Sequence, residues 1–286
     1  MLQLLQTALD FESLGLRPEI FTIAPFSLFG LELGPFALRW YSMAYIAAIG
    51  MGWWQIGRMI KLPQPVMTAQ QLDDFITWVA LGIILGGRLG YVIFYNPAQY
   101  LADPLAILRL WDGGMSFHGG CAGVILACFA YGASQKISGL RILDSVATVT
   151  PFGLLCGRLA NFINGELWGR PTGTDWGIIF PGAGAEPRHP SQLYEAALEG
   201  AVLLIILQWL HWKTGARLRP GLLSGVFAVG YSLARFIVEF FRQPDAQLGV
   251  LSTGLTMGQS LTLPLFAAGL WLIIRSRRQS VPGAPA

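Results

Sequence analysis

Arginines, carboxylates and a histidine stand in this chain at places where an apolar sequence should not keep them. The run Gly157-Arg158-Leu159-Ala160-Asn161-Phe162-Ile163-Asn164-Gly165-Glu166-Leu167-Trp168-Gly169-Arg170 ends an apolar stretch with two arginines, two asparagines and a glutamate. An arginine near the middle of a membrane helix is disfavoured by about 2.5–3.5 kcal/mol on insertion scales, so these groups need partners or an anionic ligand. By the i, i+3, i+7 rule Arg158, Asn161 and Gly165 share one helical stripe. Tyr231, Arg235, Glu239 and Arg242 recur at i, i+4, i+8 and i+11, a second stripe on an apolar helix. His118 stands in Gly113-Gly114-Met115-Ser116-Phe117-His118-Gly119-Gly120, where flanking glycines let a backbone or a bulky substrate approach the ring. Of the other two histidines, His211 lies beside Trp212 and Lys213 in the pattern of an interfacial anchor, and His189 reads as a capping or loop residue.

Several chemistries are absent from the sequence. There is no HExxH, no CxxC pair, no carboxylate set with metal-ligand spacing and no P-loop. Gly82, Gly86, Gly87 and Gly90 fit close helix packing better than a phosphate loop. Cys121, Cys128 and Cys156 all fall in apolar segments and read as small buried hydrophobes. What remains is a metal-free site: a histidine base, arginines for an anion, and polar groups to orient a headgroup.

The elements that must position these residues follow from composition. The 286 residues are 53% hydrophobic and 12% charged, against about 25% charged in a soluble domain. Long apolar windows recur along the whole length, so the expected class is an all-α integral membrane protein. Seven spans are expected, at roughly 39–58, 72–94, 116–134, 145–164, 192–211, 221–241 and 255–274. Residues 20–38 are broken by Pro25, Gly30, Gly34 and Pro35 and read as an N-terminal re-entrant or interfacial arm. Residues 95–115 and 165–191 are longer loops, 276–286 a tail, and the whole a single membrane domain. No secretory signal is apparent, because Asp10, Glu12 and Glu19 accompany only Arg17 among the first twenty residues.

Basic residues orient the spans. One set of connections holds Arg58, Lys61, Lys136, Arg141, Lys213, Arg217, Arg219, Arg275, Arg277 and Arg278; the other holds Arg17, Arg109, Arg170, Arg188 and Arg242. Ten against five puts the N-terminus outside and the C-terminus in the cytoplasm. Arg39, Arg88, Arg158, Arg235 and His118 then share one depth towards the outer face, as if lining one cavity. An ion pair between Arg235 and Glu239 that only glues helices is the plainer reading of that stripe. Two stripes at one depth beside a histidine favour a site. A transporter is the competing class, but the polar groups cluster towards one face and no repeated halves with broken helices appear.

With these residues assembled, the chain resembles the phosphatidylglycerol–prolipoprotein diacylglyceryl transferase family. The run from Gly157 to Gly169 is similar to the family signature at every fixed position, with Ala160 where the family takes Gly or Ala. Further matches are Arg39-Trp40-Tyr41, Gly87-Arg88-Leu89-Gly90-Tyr91, Phe117-His118-Gly119-Gly120, Arg188-His189-Pro190-Ser191-Gln192-Leu193-Tyr194-Glu195, Tyr231-Ser232-Leu233-Ala234-Arg235-Phe236 and Glu239-Phe240-Phe241-Arg242. The resemblance implies seven spans with a small periplasmic cap, placed in a bacterial inner membrane. It also implies transfer of a diacylglyceryl group from phosphatidylglycerol to the lipobox cysteine of a prolipoprotein still carrying its signal peptide, with no cofactor, metal or nucleic acid. His118 matches the family's catalytic base, Arg158 and Arg235 its essential arginines. Tyr41, Asn161, Glu166, Gly169, Tyr231 and Glu239 match positions needed for activity or substrate binding, with Glu166 and Glu239 expected to hold the arginines in place.

Overall fold

The computed structural model describes residues 8–29, 31–244, 251 and 253–278. Every stretch expected to span is helical: α1 (Trp40–Met59), α2 (Ala69–Phe94), α4 (Phe117–Gln135), α5 (Gly139–Ile163), α6 (Ser191–Lys213), α7 (Leu222–Val238) and α8 (Met257–Arg277), with the short α3 (Pro97–Ala102) between α2 and α4. Among the described residues five of these, α2, α4, α5, α6 and α8, are long and apolar enough to cross a membrane. The chain is thus a mostly helical membrane protein. α1 falls outside that set, its tryptophans, tyrosines, Gln55 and Arg58 lowering its mean hydropathy, and α7 has only 17 residues.

Local chemistry explains several helix ends. Thr68 and Gln71 form a reciprocal capping box at the start of α2, and Thr256 and Gln259 form another at the start of α8. The Ser116 hydroxyl accepts from the Gly119 amide and starts α4. α5 begins at Gly139, six residues earlier than expected, and its first turns carry Asp144 into the interior.

α2 and α4 pack backbone to backbone. A Cβ on Gly82 would meet the Gly123 carbonyl oxygen at 2.6 Å, and one on Gly90 would meet the Gly119 Cα at 2.8 Å. The glycine spacing on α2 is therefore a packing seam. Of the two approaches expected beside His118, the structure shows that of a backbone: Gly119 lies against α2, and its small size serves that helix contact. Two buried apolar clusters lie at the other end of the bundle. Ile56, Met59, Leu72, Phe75, Tyr131 and Ile142 form one, and Leu203, Leu207, Ala216 and Leu223 a second. Many large apolar side chains on α1, α2 and α4 are exposed, as on a surface that meets lipid. Cys128 is fully buried, but Cys121 is exposed and Cys156 intermediate, so the expectation of three buried cysteines holds for Cys128 alone.

Among its described residues the arm at 20–38 is built of short strands. β2 (Glu19–Ile23) pairs antiparallel with β5 (Phe36–Arg39), and β3 (Phe26–Leu28) with β4 (Leu31–Leu33). A segment this short satisfies its backbone groups by folding on itself, which the proline and glycine pattern alone did not reveal. Further upstream β1 (Leu9–Asp10) pairs parallel with β6 (Ile178–Ile179) of the 165–191 loop. Phe11, Ile178 and Phe180 form a small core there, with Phe162 and Trp168 packed against it. Of the tail expected at 276–286, residues 279–286 lie outside the described residues.

Candidate functional site

Helices α5, α6 and α7 bring three arginines and three glutamates together. From α5, Arg158 Nε lies 3.1 Å from Glu195 Oε2 and its Nη2 lies 3.5 Å from Glu199 Oε2. From α7, Arg235 pairs through Nη1 with Glu195 Oε1 and through Nη2 with Glu239 Oε2, the latter at 2.9 Å. Just past α7, Arg242 Nη1 reaches Glu195 Oε1 at 3.0 Å. Glu195 is the hub, since all three guanidiniums meet its one carboxylate. The side chains of Glu195 and Glu199 are wholly buried, while Arg158 and Arg235 keep 18% and 14% exposure, so the cations form the accessible side of the cluster. Charges this deep persist only when paired, and the formal charges of the cluster balance.

The two carboxylates at its base are four residues apart in α6, at the edge of a π-helical stretch, Ala196–Val202. Single π-turns inside α-helices are frequent at functional sites, because the wider turn re-aims side chains. Glu195 and Glu199 were not singled out by sequence reasoning as partners of the arginines. The signal was present: two carboxylates at i, i+4 in an otherwise apolar helix need cationic partners.

The remaining expected residues divide into those the structure joins to this cluster and those it does not. Glu239 holds Arg235 as expected. Glu166 holds no arginine among the described residues. Its Oε1 instead accepts from Asn161 Nδ2 at 2.8 Å and from Asn164 Nδ2 at 3.0 Å, and Gln192 Nε2 donates to its backbone oxygen at 2.6 Å. The side chains of Asn161, Asn164 and Glu166 therefore bond one another across the turn that ends α5, while backbone amides satisfy its last carbonyls, that of Glu166 donating to the Asn161 oxygen at 3.1 Å. Tyr231, one turn before Arg235, stacks on Phe227 with ring centroids 5.9 Å apart and packs on the Leu203 and Leu207 cluster.

Gly169 is a crossing point of the chain. Its amide donates to the His189 oxygen at 2.9 Å, its own oxygen accepts from Arg188 Nη1 at 3.1 Å, and it bridges to Arg242. A Cβ there would stand 2.5 Å from the Phe241 oxygen and 2.6 Å from that of His189. Only glycine fits, and this crossing holds Arg242 beside Glu195. His189, expected as a capping or loop residue, has its ring packed against Trp176, Tyr194 and Phe241 and hydrogen-bonded through Nδ1 to the Tyr194 hydroxyl at 3.2 Å. Burial holds its pKa below the ordinary imidazole value.

The single cavity expected from shared depth is not what the structure builds. Arg39 pairs at 3.4 Å with Glu19 of the β-arm and is largely exposed. Tyr41 is also exposed, its hydroxyl 3.3 Å from that of Tyr45. Arg88 is buried as a staple for the 95–115 loop. Its guanidinium donates to the carbonyls of Ala106 at 2.6 Å, Ile107 at 2.9 Å, Arg109 at 3.0 Å and Gly114 at 3.1 Å, and also to that of Gly113. A guanidinium has five N–H groups, and these acceptors occupy them. Arg88 thus has nothing left for a ligand. His118 sits in the first turn of α4 with its ring exposed and edge-on to Phe117 at 5.8 Å.

A family model described as prolipoprotein diacylglyceryl transferase matches residues 29–275, a span that includes α1 and most of α8. The chain belongs to the prolipoprotein diacylglyceryl transferase family. It is 52% identical to the phosphatidylglycerol–prolipoprotein diacylglyceryl transferase of Zymomonas mobilis, over 97% of this chain and 96% of the relative. The protein of the same name from Roseobacter denitrificans is 52% identical over 92% of this chain and 96% of its own length. That from Rhodospirillum rubrum is 52% identical over 88% and 94%. The Arg158, Arg235 and Glu195 cluster lies within the span that the family model covers.

Proposed function

We propose that this protein transfers the diacylglyceryl group of phosphatidylglycerol to the thiol of the lipobox cysteine of a prolipoprotein, the first step of lipoprotein maturation. The observation that carries this reading is the buried cluster in which Glu195 aims Arg158 and Arg235 from two helices, in a chain of this family. In the reaction the cysteine sulfur bonds to the glyceryl carbon that bore the phosphate ester. The carbon–oxygen bond breaks, glycerol 1-phosphate leaves, and the thiol proton passes to a base. A free thiol has a pKa near 8.5 and reacts as its thiolate, so a base at His118 raises the reactive fraction.

The phosphate is the work of the arginines. The ion pairs engage Nε and Nη2 of Arg158 and Nη1 and Nη2 of Arg235, so each guanidinium keeps further N–H donors for phosphate oxygens. Charge developing on the leaving group is stabilised by such preset donors where water is scarce. Tyr41 and Tyr231 orient the headgroup, Asn161 and Glu166 shape the end of α5 beside it, Gly169 keeps the chain crossing, and Glu239 holds Arg235.

The chain crosses a bacterial inner membrane seven times, α1 and α7 included, with its N-terminus in the periplasm and its C-terminus in the cytoplasm. The ten-to-five bias of basic residues supports this orientation. The 165–191 loop and the β-arm form a small periplasmic cap over the site. Phosphatidylglycerol enters sideways between helices, and the prolipoprotein arrives tethered by its signal peptide. The test is purified protein given phosphatidylglycerol and a lipobox peptide with one cysteine. Glycerol phosphate release should match one diacylglyceryl addition to the peptide and vanish with Arg158→Ala or a serine peptide. No release from a well-folded preparation overturns the assignment.

A further inference from the structure

At the end of the bundle away from the Arg158 cluster, a cleft is lined by Gln64 of the α1–α2 connection, Arg141 and Asp144 of α5, His211 of α6, and Arg217 of the turn before α7. Arg141 and Arg158 are seventeen positions apart on the same helix, so the two places are about 25 Å apart. Two features of the cleft are unexplained by the fold. The first is charge: Arg141 and Arg217 converge there, and among the described residues neither has a carboxylate within ion-pair distance. Each donates to a loop carbonyl, Arg141 Nη2 to Gln64 at 2.5 Å and Arg217 Nη1 to Pro63 at 2.7 Å, which leaves most of their N–H groups unused.

The second is His211. Expected at the interface as an anchor, it is instead only 5% exposed, and among the described residues neither ring nitrogen has a hydrogen-bond partner. A buried imidazole without partners is costly and native structures rarely leave one so. Asp144, one turn from Arg141 on α5, places one carboxylate beside the two cations, but among the described residues it makes no ion pair with either and no hydrogen bond to His211. Its Oδ2 accepts from the Gly221 amide at 2.7 Å, and its Oδ1 from the Ser224 amide at 2.8 Å and hydroxyl at 2.6 Å. Both oxygens are occupied at the start of α7, where the positive end of the helix dipole offsets the charge.

We infer that Arg141, Arg217 and His211 form a second anion site, built for a phosphate group and separate from the transferase centre. Tetrahedral phosphate oxygens accept from two guanidinium forks and one imidazole N–H at once. The phosphate comes either from the headgroup of an anionic phospholipid in the leaflet at that end or from free phosphate. Only the naming of that leaflet as cytoplasmic rests on the orientation proposed above. Bound there, the phosphate ties the α1–α2 connection to α5, α6 and the turn before α7.

The experiment uses the full-length protein in neutral detergent, titrated with phosphatidylglycerol, with zwitterionic phosphatidylcholine and with inorganic phosphate. Bound lipid is counted by native mass spectrometry and stability followed by thermal unfolding at constant ionic strength. Arg217→Gln removes one partly exposed side chain and should fold; Arg141→Gln/Arg217→Gln removes both cations. The wild type should bind one more phosphatidylglycerol than the variants do, with affinity for that molecule falling about tenfold in Arg217→Gln and further in the double variant. Phosphatidylcholine binding should not change, and transfer to the lipobox peptide should persist in Arg217→Gln. If inorganic phosphate alone stabilises the wild type and not the variants, the source is free phosphate; if only the lipid does, it is the headgroup. Equal binding of both probes by the wild type and both variants overturns the site, whatever the transfer assay shows.

Discussion

Glu195→Gln tests the idea that one buried carboxylate aims the arginines. The amide keeps an oxygen where Oε1 accepts from Arg235 and Arg242, but that oxygen is no longer charged. A hydrogen bond to a charged group is worth about 1.5–3 kcal/mol and a neutral one about 1 kcal/mol. With a guanidinium still donating, these two contacts weaken by no more than about 1 kcal/mol each. The amide nitrogen then falls at the Oε2 position, 3.1 Å from Arg158 Nε, so a donor faces a donor. Arg158 keeps only its 3.5 Å contact with Glu199. Breaking a buried ion pair from one side costs about 3–5 kcal/mol, and that is the expected loss of folding stability. Activity should suffer through Arg158. Losing one preset donor to a developing oxyanion typically costs about 10²- to 10³-fold in turnover. The assay measures glycerol phosphate release and peptide diacylglycerylation at saturating phosphatidylglycerol, on material that elutes as a single folded species. Glu195→Gln protein that is as stable as the wild type and turns over within twofold of it would refute the role of Glu195.

Arg88→Met should destabilise the protein by roughly 3 kcal/mol, because it strips the shared donor from five loop carbonyls. Thermal unfolding and proteolysis within 96–116 would register this, whereas a rise in KM for phosphatidylglycerol as the main effect would contradict the staple. Gly169→Ala should abolish turnover by forcing apart the crossing with His189 and Phe241. Hydrogen exchange at the Gly169 and Arg170 amides should speed up, and an active, protected variant would show that the Cβ fits. Burial keeps His189 neutral below its ordinary pKa of about 6.5. The unfolded chain therefore takes up the proton first as pH falls, so the stability His189 contributes is complete above that value and is lost on acidification towards the folded pKa. Protection of the 169–172 and 188–190 amides, corrected for intrinsic exchange, should fall between pH 7.5 and 5 in the wild type and not in His189→Phe; the same fall in both would assign it elsewhere.

Much of this was legible in the residues. The expected spans coincide with helices because apolar windows of such length have few alternatives in lipid, where each backbone group must be satisfied within its own segment. The stripes carrying Arg158 and Arg235 could be read for the same reason, since helical periodicity fixes which residues share a face. Glu166, expected to hold an arginine, bonds Asn161 and Asn164 instead, because the turn at the end of α5 brings those side chains to it. Arg88 and Arg158 look alike as single arginines in apolar helices. One has its donors consumed by five carbonyls and the other faces carboxylates, a difference set by a loop and a helix remote in sequence.

The sequence by itself determined that the chain is helical and lies in a membrane, which residues share helical faces, and that its family signature surrounds Arg158. Those properties depend on local spacing and on the transfer energy of each side chain, and both can be read along one strand of text. Only the tertiary structure decided that Glu195 is the hub of three arginines, that Gly169 is a crossing rather than a contact, and that His211 is buried with no partner among the described residues. Each of those depends on which segments meet. Ion pairs and hydrogen bonds act over a few ångströms, so their partners are chosen by packing and not by distance along the chain.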